Sequence, residues 1–264
     1  ISEEFPLGTM PSPMENPATG PLFVETAEPG DVLKVEILSI RLRGHGIMRS
    51  SIQTGPLHTL YSKREARIFS IKDNVIHFDD TLQIPCDTMI GVIGTAPEGD
   101  GVSTVSPGQH GGNMDCTQIT AGSVLYLPVH TPGALLSLGD LHARMGDGEV
   151  FICGLETAGE VTVRVSVLKQ ADGSLPFPLP LPFAVRGGVC MTIQSAPTLD
   201  EANDMAVMEM EQFIKRAAGI SDLKAGMLMS LLCNMIVCQV VNPLKTVRAQ
   251  FPLDVLEKYG VKLP

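Results

Sequence analysis

Tryptophan is absent from this 264-residue chain, and tyrosine occurs only three times. Proteins that bind single-stranded nucleic acid stack its bases on aromatic side chains, and this composition offers few of them. Positive charge is also scarce, since the formal net charge is −10. Such a surface repels a phosphate backbone. The sequence therefore predicts that nucleic acid is not a partner.

Long hydrophobic runs are missing as well. The longest, residues 227–241, is too short to span a bilayer and contains Asn234 and Gln239. The first residues show no cationic start followed by an apolar stretch, so no signal peptide is predicted. The six cysteines form no CxxC pair, which favours reduced thiols in a core. These absences predict a cytoplasmic protein with no membrane partner.

Apolar patterns in the first three quarters of the chain predict β-strands. Residues 33–37 and 161–167 alternate apolar and polar side chains, the period of a half-buried strand. Residues 66–71 and 75–78 flank the short turn at 72–74, which predicts a hairpin. Further strands are predicted at 89–93, 123–129, 150–153 and 188–193.

The last quarter changes to a helical period. Thr198 and Glu201 form a capping-box pattern that opens a helix, and Gly219 ends it. Ser221 can cap a second helix, in which apolar residues recur at helical spacing: Leu223, Met227, Leu231 and Met235. Methionine-rich helices of this kind favour core and subunit-interface packing.

Strands followed by helices predict an α+β fold, mainly antiparallel β with sandwich- or barrel-like sheets and a C-terminal helical pair. No long polar linker divides the chain. We therefore expect a single domain over residues 1–264, irregular over 1–15 and with a helical subregion over 198–237.

Two glycine-punctuated runs hold the densest chemistry. In the second run, residues 139–149, Asp140 and His142 are two positions apart and would project to the same side of an extended chain. Such a pair can chelate a divalent ion, or the carboxylate can orient the imidazole. Asp147 and Glu149 repeat the spacing. A solvated acidic turn is the simpler alternative, but Glu149 before an apolar stretch suits a general base with a raised pKa.

The first run, residues 107–115, places His110 before two glycines. The amides of Gly111 and Gly112 could stabilise an oxyanion, and Asn113 offers both a donor and an acceptor. Asp115 could bind a metal or hold His110. Only about 25 residues separate the two runs, which favours one shared site.

Two other interpretations stay open. Cys116 could be a nucleophile, although a small apolar residue entering a strand is the simpler reading. Alternatively, the oxygens of Asp140, Asp147 and Glu149 could bind Ca²⁺ in a protein without activity, although His142 is a poor calcium ligand. His45 lies in a flexible loop that could close over a site.

The chain resembles the acetamidase/formamidase family. The resemblance rests on stretches in order along nearly the whole chain. They are residues 16–21 (NPATGP), 28–35 (EPGDVLKV), 89–94 (MIGVIG), 107–115 (PGQHGGNMD), 139–143 (GDLHA), 145–149 (MGDGE) and 239–248 (QVVNPLKTVR).

The resemblance implies hydrolysis of a small linear amide such as formamide or acetamide, at a metal-supported site in a β-rich fold. It also implies a homodimer or higher homo-oligomer. Family members begin with an additional N-terminal segment bearing polar residues, which residues 1–15 match poorly. If a ligand comes from that segment, a catalytically impaired, metal-binding family member is a further alternative.

Residue by residue, the resemblance covers His110, Asn113, Asp115, Asp140, His142 and Glu149. From their chemistry we predict that His110, Asp115, Asp140 and His142 bind the metal, with Zn²⁺ favoured and Ca²⁺ as the alternative. Glu149 is the predicted base, and Asn113 and Asp147 complete the predicted catalytic group.

Overall fold

The computed structural model describes residues 16–264, and the irregular segment predicted at residues 1–15 lies outside them. This part of the chain forms seventeen strands, three α-helices and a 3₁₀ helix at His58–Leu60. The strands are β1 Ala18–Leu22, β2 Val32–Leu42, β3 His45–Arg49, β4 Ala66–Lys72, β5 Val75–His77, β6 Gln83–Pro85, β7 Met89–Gly94, β8 Pro107–Gly108, β9 Gly111–Asn113, β10 Val124–Pro128, β11 Leu136–His142, β12 Glu156–Thr157, β13 Gly159–Leu168, β14 Phe183–Arg186, β15 Val189–Ala196, β16 Asn234–Gln239 and β17 Lys245–Pro252. The helices are α1 Leu199–Ala218, α2 Asp222–Leu232 and α3 Leu253–Lys258.

The strands form two antiparallel sheets. The first has ten strands in the order β6-β5-β4-β3-β12-β11-β7-β9-β8, with β1 paired to β11, and the second has seven in the order β13-β2-β10-β14-β15-β17-β16. Every pairing between these strands is antiparallel. Neither sheet closes into a barrel over residues 16–264. The predicted α+β fold with antiparallel sheets and a C-terminal helical pair is confirmed.

The two sheets share an apolar core. Leu33 and Val35 of β2 pack with Ile90 and Ile93 of β7, and all four are fully buried. The other face of the second sheet is covered by the helices, where Phe213 of α1 contributes to a separate apolar cluster. The middle of the second sheet is therefore buried on both faces, which explains the nearly continuous apolar runs in its central strands.

The hairpin predicted at residues 66–78 is confirmed. Strands β4 and β5 pair directly, and the two residues between them, Asp73 and Asn74, both have positive φ, at 51° and 64°. Two successive left-handed residues match the right-handed twist of the strands that they connect.

The helical pair begins as predicted but ends earlier. Thr198 forms the capping box with Glu201, Gly219 ends α1 in a left-handed conformation, and Ser221 caps α2. Helix α2 ends at Leu232, so the helical subregion does not reach residue 237, and Met235 belongs to strand β16. The pairing of β16 with β17 favours extended backbone there over a further helical turn.

The predicted strand at residues 150–153 is wrong. The structure has a turn instead, in which the amide of Ile152 donates to the carbonyl of Glu149 at 3.1 Å. Ile152 has a φ of 83°, which a strand does not allow. The apolar residues therefore belong to a turn that carries Glu149.

No helix within residues 16–264 is long and apolar enough to cross a membrane.

Candidate active site

Gly91 lies at the centre of the site. Its strand, β7, pairs with β9 on one side and with β11 on the other. Asp115 follows β9 and Asp140 lies in β11, so the two carboxylates approach β7 from opposite sides. A Cβ atom on Gly91 would lie 2.6 Å from Asp115 Oδ1 and 2.7 Å from Asp140 Oδ2. Glycine is therefore required here, because any larger residue would occupy the space of the carboxylates.

Three of the site carboxylates stand on left-handed backbone. Asp115, Asp140 and Glu149 have φ angles of 47°, 56° and 48°. This region costs a non-glycine residue on the order of 1 kcal/mol or more, and such residues cluster at functional sites. The surrounding fold thus holds all three side chains in directions that ordinary strand geometry would not give them.

The side chains converge on His142, which is fully buried. Asp115, Asp140 and His142 offer one ligand atom each within 4.8 Å of one another, and so do His142, Glu149 and Glu156. His142 Nε2 lies 3.1 Å from Glu156 Oε1 and 3.6 Å from Asp140 Oδ1. We call these five residues the donor cluster.

Several buried atoms of the donor cluster have no hydrogen-bond partner within the described residues. They include Asp115 Oδ1, Glu149 Oε2 and His142 Nε2. The two carboxylates near His142 Nε2 are not aligned with it for a hydrogen bond. Buried polar atoms without partners are rare and costly. Imidazole and carboxylate groups are the ligands that Zn²⁺ takes in proteins. The unpartnered atoms therefore fit a divalent cation at this position.

Asp115 and Glu149 form one carboxyl pair. Burial and the nearby charge of Asp140 raise the pKa of Asp115 to about 7. Burial and the charge of Asp115 also raise the pKa of Glu149 well above its ordinary value. Two buried carboxylates repel one another, so a proton or a cation between them would stabilise the pair.

A second pair flanks the imidazole. Burial raises the pKa of Glu156 to about 7, with a further contribution from Asp140. Burial lowers the pKa of His142, but the charges of Glu156 and Asp140 outweigh it and raise that pKa well above its usual range. For Asp140, burial is outweighed by the contact with His142, so its pKa is lowered. The imidazole therefore lies beside two carboxylates, Asp140 and Glu156, that favour a positive charge at this position.

A cavity of about 710 Å³ opens above the donor cluster. Asn113, Asp140, Glu149 and Glu156 line it, whereas Asp115 and His142 lie behind them. The rest of the wall is largely apolar. A concave, mostly apolar pocket with a few convergent polar groups is typical of a site for a small organic molecule.

Two residues of the site, Glu156 and Asn242, were not predicted from the sequence, and neither was Asn16, which holds Asp140. Glu156 belongs to the donor cluster, and Asn242 donates to Asp115 Oδ2 at 2.6 Å. Asn16 donates to Asp140 Oδ2 at 3.4 Å. Asn16 and Asn242 both lie in stretches that carry the family resemblance, which was the available signal. Glu156 had none, because it comes close to His142 only through the pairing of β12 with β11.

Two of the predicted site residues lie away from the donor cluster. A Cβ atom on Gly112 would lie 2.8 Å from His110 Nε2, which places this ring against the β8–β9 hairpin. Burial and the nearby His130 lower the pKa of His110. Asp147 instead forms a two-point ion pair with Arg248, at 2.7 and 2.8 Å, and accepts a hydrogen bond from Thr117.

Cys116 lies away from the cavity. Its side chain is fully buried beside Cys238, whose Sγ lies 3.5 Å from Arg248 Nη1. The thiol therefore has no face on the cavity where a substrate would bind. His45, by contrast, lines the cavity at the start of β3.

Comparison with known proteins gives a result that agrees with this geometry. The family model described as Acetamidase/Formamidase family matches residues 98–258, well over half of the chain. The chain belongs to the acetamidase/formamidase family. The crystal structure of an acetamidase from Bacillus halodurans superposes with a TM-score of 0.93 at 43% identity, covering 99% of this chain and 86% of that one.

Curated members of the acetamidase/formamidase family match over shorter lengths. A relative from Schizosaccharomyces pombe is 30% identical over 223 residues, which cover 62% of this chain and 54% of the relative. A formamidase from Methylophilus methylotrophus is 44% identical over 72 residues, or 27% of this chain and 18% of that protein. The chain thus spans about half the length, or less, of these curated relatives.

Proposed function

We propose that this protein is a metal-dependent amidohydrolase that cleaves the C–N bond of small linear amides, such as formamide and acetamide, to a carboxylate and ammonia. The observation that carries the proposal is the donor cluster, whose buried atoms lack partners at the base of a cavity. Family membership supports the reaction class, since its matched relatives include proteins named formamidase and acetamidase.

The proposed metal ligands are Asp115, Asp140 and His142. Zn²⁺ suits an imidazole with carboxylates better than Ca²⁺, which prefers oxygen ligands alone. A bound divalent cation would polarise the amide carbonyl and lower the pKa of water toward about 7. His142 must lose its proton to bind a metal, and Glu156 Oε1, 3.1 Å from the same Nε2 atom, is near enough to be a further ligand.

Glu149 is the proposed general base. Its side chain lines the cavity and its Oε2 has no partner within residues 16–264. An amide is a poor electrophile, and its nitrogen leaves only when protonated. A carboxylate with a raised pKa can take the proton from water and then give it to the departing nitrogen.

Asn113 is the proposed group that orients the substrate. It lines the cavity, and its Oδ1 has no hydrogen-bond partner within residues 16–264. The side-chain amide can accept from the substrate NH₂ group or present its own NH₂ group to the developing oxyanion. Gly111 and Gly112 lie within β9 between two strands, so we favour Asn113 over their amides for this role.

The alternative chemistry, with Cys116 as nucleophile, has less support. Cys116 is buried and faces Cys238 rather than the cavity. A thiol enzyme would be inactivated by iodoacetamide and insensitive to chelators, whereas a metal-dependent enzyme would show the reverse.

Ammonia release from formamide and acetamide tests the proposal. The purified protein should release ammonia from at least one of them, lose the activity on chelation and regain it with Zn²⁺. Metal analysis of the same samples should follow the activity. Absence of hydrolysis in a metal-loaded protein, or full activity in a metal-free protein, would contradict the proposal.

We also propose that the protein is a cytoplasmic homodimer or higher homo-oligomer that folds as one domain. The apolar residues predicted on α2 support an interface: Leu223, Met227 and Leu231 are 70%, 57% and 78% exposed, while Ala225 and Met229 face the core. Light scattering should give a mass of two or more chains, and Leu231→Glu should reduce it.

A further inference from the structure

The cavity is much larger than the amides in the proposed reaction. A volume of about 710 Å³ corresponds to about two dozen water molecules at roughly 30 Å³ each. Acetamide has only four non-hydrogen atoms and would fill a small part of this space. Pockets of about 300–1,000 Å³ accommodate larger organic ligands. The cavity therefore has room for an acyl chain beyond the carbonyl group.

Two arginines line this space. Arg49 ends β3, and Arg64 comes two residues before β4, its neighbour in the sheet. Arg49 pairs with Ala66 across these strands, so the two arginines come together at the same end of the β3–β4 ladder. Their positive charge contrasts with the carboxylates of Asp140, Glu149 and Glu156, which line the same cavity at the donor cluster.

Neither guanidinium group forms an ion pair or a side-chain hydrogen bond within residues 16–264. The nearby acid Glu65 pairs instead with Lys63 at 2.9 Å. Arg49 is held through its backbone, which exchanges hydrogen bonds with the Cys153 thiol at 3.3 and 3.4 Å. That contact ties Arg49 to the segment between Glu149 and Glu156. Its side chain is thus available to a ligand in the cavity.

An apolar surface separates the arginines from the donor cluster. Ile47 pairs with Glu156 on one side and with Ile68 on the other, and both isoleucines line the cavity. Arg49 lies two residues beyond Ile47 on the same face of β3, or about 7 Å along the strand. This spacing suits a short methylene chain with an amide at one end and an anion at the other.

We infer that the preferred substrates are amides that carry a second, anionic carboxylate two or three methylene groups from the amide carbonyl, with Arg49 and Arg64 binding that carboxylate. The inference rests on the proposed amide hydrolysis. Arginine is suited to the role because its planar fork binds a carboxylate through two parallel hydrogen bonds. Succinamate is the simplest such substrate. Water adds to its amide carbon, the C–N bond breaks, and the products are succinate and ammonium.

Matched substrates test the inference. Succinamate and butyramide have the same four-carbon chain, and only succinamate ends in a carboxylate. The metal-loaded protein should have a kcat/KM at least tenfold higher for succinamate than for butyramide. The variants Arg49→Gln and Arg64→Gln should each reduce this preference by fivefold or more, mainly through KM. Arg164→Gln, an exposed arginine of β13, should leave it unchanged.

Equal kcat/KM for succinamate and butyramide would overturn the inference while the proposed amide hydrolysis stands. The same holds if the arginine variants lose kcat/KM equally for the two amides. Failure to hydrolyse any amide would instead overturn the proposed function. Calorimetry with succinate then tests the anion site by itself. We expect succinate to bind the wild-type protein at least tenfold more tightly than the Arg49→Gln/Arg64→Gln double variant, and equal binding would overturn the inference.

Discussion

Asn242 Nδ2 donates a 2.6 Å hydrogen bond to Asp115 Oδ2, between residues 127 positions apart. The same amide group donates to the Asn113 carbonyl at 3.1 Å. Asn242 is itself held by Gln239, whose Oε1 accepts a hydrogen bond from the backbone amide of Asn242 at 2.9 Å. The loop between β16 and β17 thereby fixes Oδ2 of Asp115. The other oxygen, Oδ1, remains free to face the centre of the donor cluster.

Asn242→Ala should lower metal affinity and kcat/KM by about 10- to 100-fold, the range for groups that orient metal ligands. The substitution frees Asp115 Oδ2 and lets the carboxylate rotate. Metal titration and ammonia release measure the two effects. Asn203→Ala on α1, remote from the site, is the control and should match the wild type. Wild-type affinity and turnover in Asn242→Ala would show that the bond to Asp115 has no role in the site.

Gly91→Ala should reduce bound metal to below about one tenth of the wild-type amount. The added methyl group would lie within 2.7 Å of oxygens of Asp115 and Asp140, and overpacking of this kind also costs about 1–3 kcal/mol of stability. Metal analysis and thermal unfolding measure these effects. Gly226→Ala in α2 meets no atom within 4 Å and should keep the metal while gaining about 0.5–1 kcal/mol. Full metal occupancy in Gly91→Ala would argue against ligation by these two aspartates.

Local patterns explain what could be predicted from the sequence. The capping box at Thr198, the turn at Asp73 and Asn74, and the alternation in β13 depend on neighbours in the chain, and each was confirmed. Asp140 and His142 do lie close together, as their spacing predicted, but the left-handed backbone of Asp140 could not be predicted from that spacing. Glu156 could not be identified in this way, because β12 has only two residues and meets His142 through a long-range pairing. The need for glycine at position 91 could not be predicted either, because it depends on the pairing of β7 with β9 and β11.

Metal affinity should fall by more than tenfold from pH 8 to pH 6. His142, Asp115 and Glu149 have raised pKa values, and that of Asp115 is about 7, so protons occupy these groups as the pH falls. A metal binds only the deprotonated forms of His142 and Asp115, and its charge also favours the ionised form of Glu149 beside it, so binding displaces these protons. Calorimetry in buffers of different ionisation heat measures both affinity and proton release. A constant affinity without proton release over this range would contradict the assigned ligands.

Asp147→Asn should lower the free energy of unfolding at pH 7 by about 3 kcal/mol. This value is at the low end of the range for breaking a buried ion pair, because the Asp147 side chain is 40% exposed. The substitution leaves the buried Arg248 without its partner. Contact with Arg248 lowers the pKa of Asp147 despite its burial, so the stabilisation is complete above about pH 4 and disappears as the pH falls through the folded-state pKa. Chemical denaturation at pH 7 and pH 3 measures the difference. A loss of kcat at unchanged stability would instead assign Asp147 to the chemistry.

Turnover of Glu149→Gln is the most direct test of the proposed mechanism. The substitution keeps the size of the side chain but removes its ability to accept and donate the proton. With metal content and thermal stability checked in the same preparation, we predict that kcat for ammonia release from acetamide falls by at least 100-fold. Turnover within threefold of the wild type, with the metal bound and the fold intact, would contradict the assignment of Glu149 as the base.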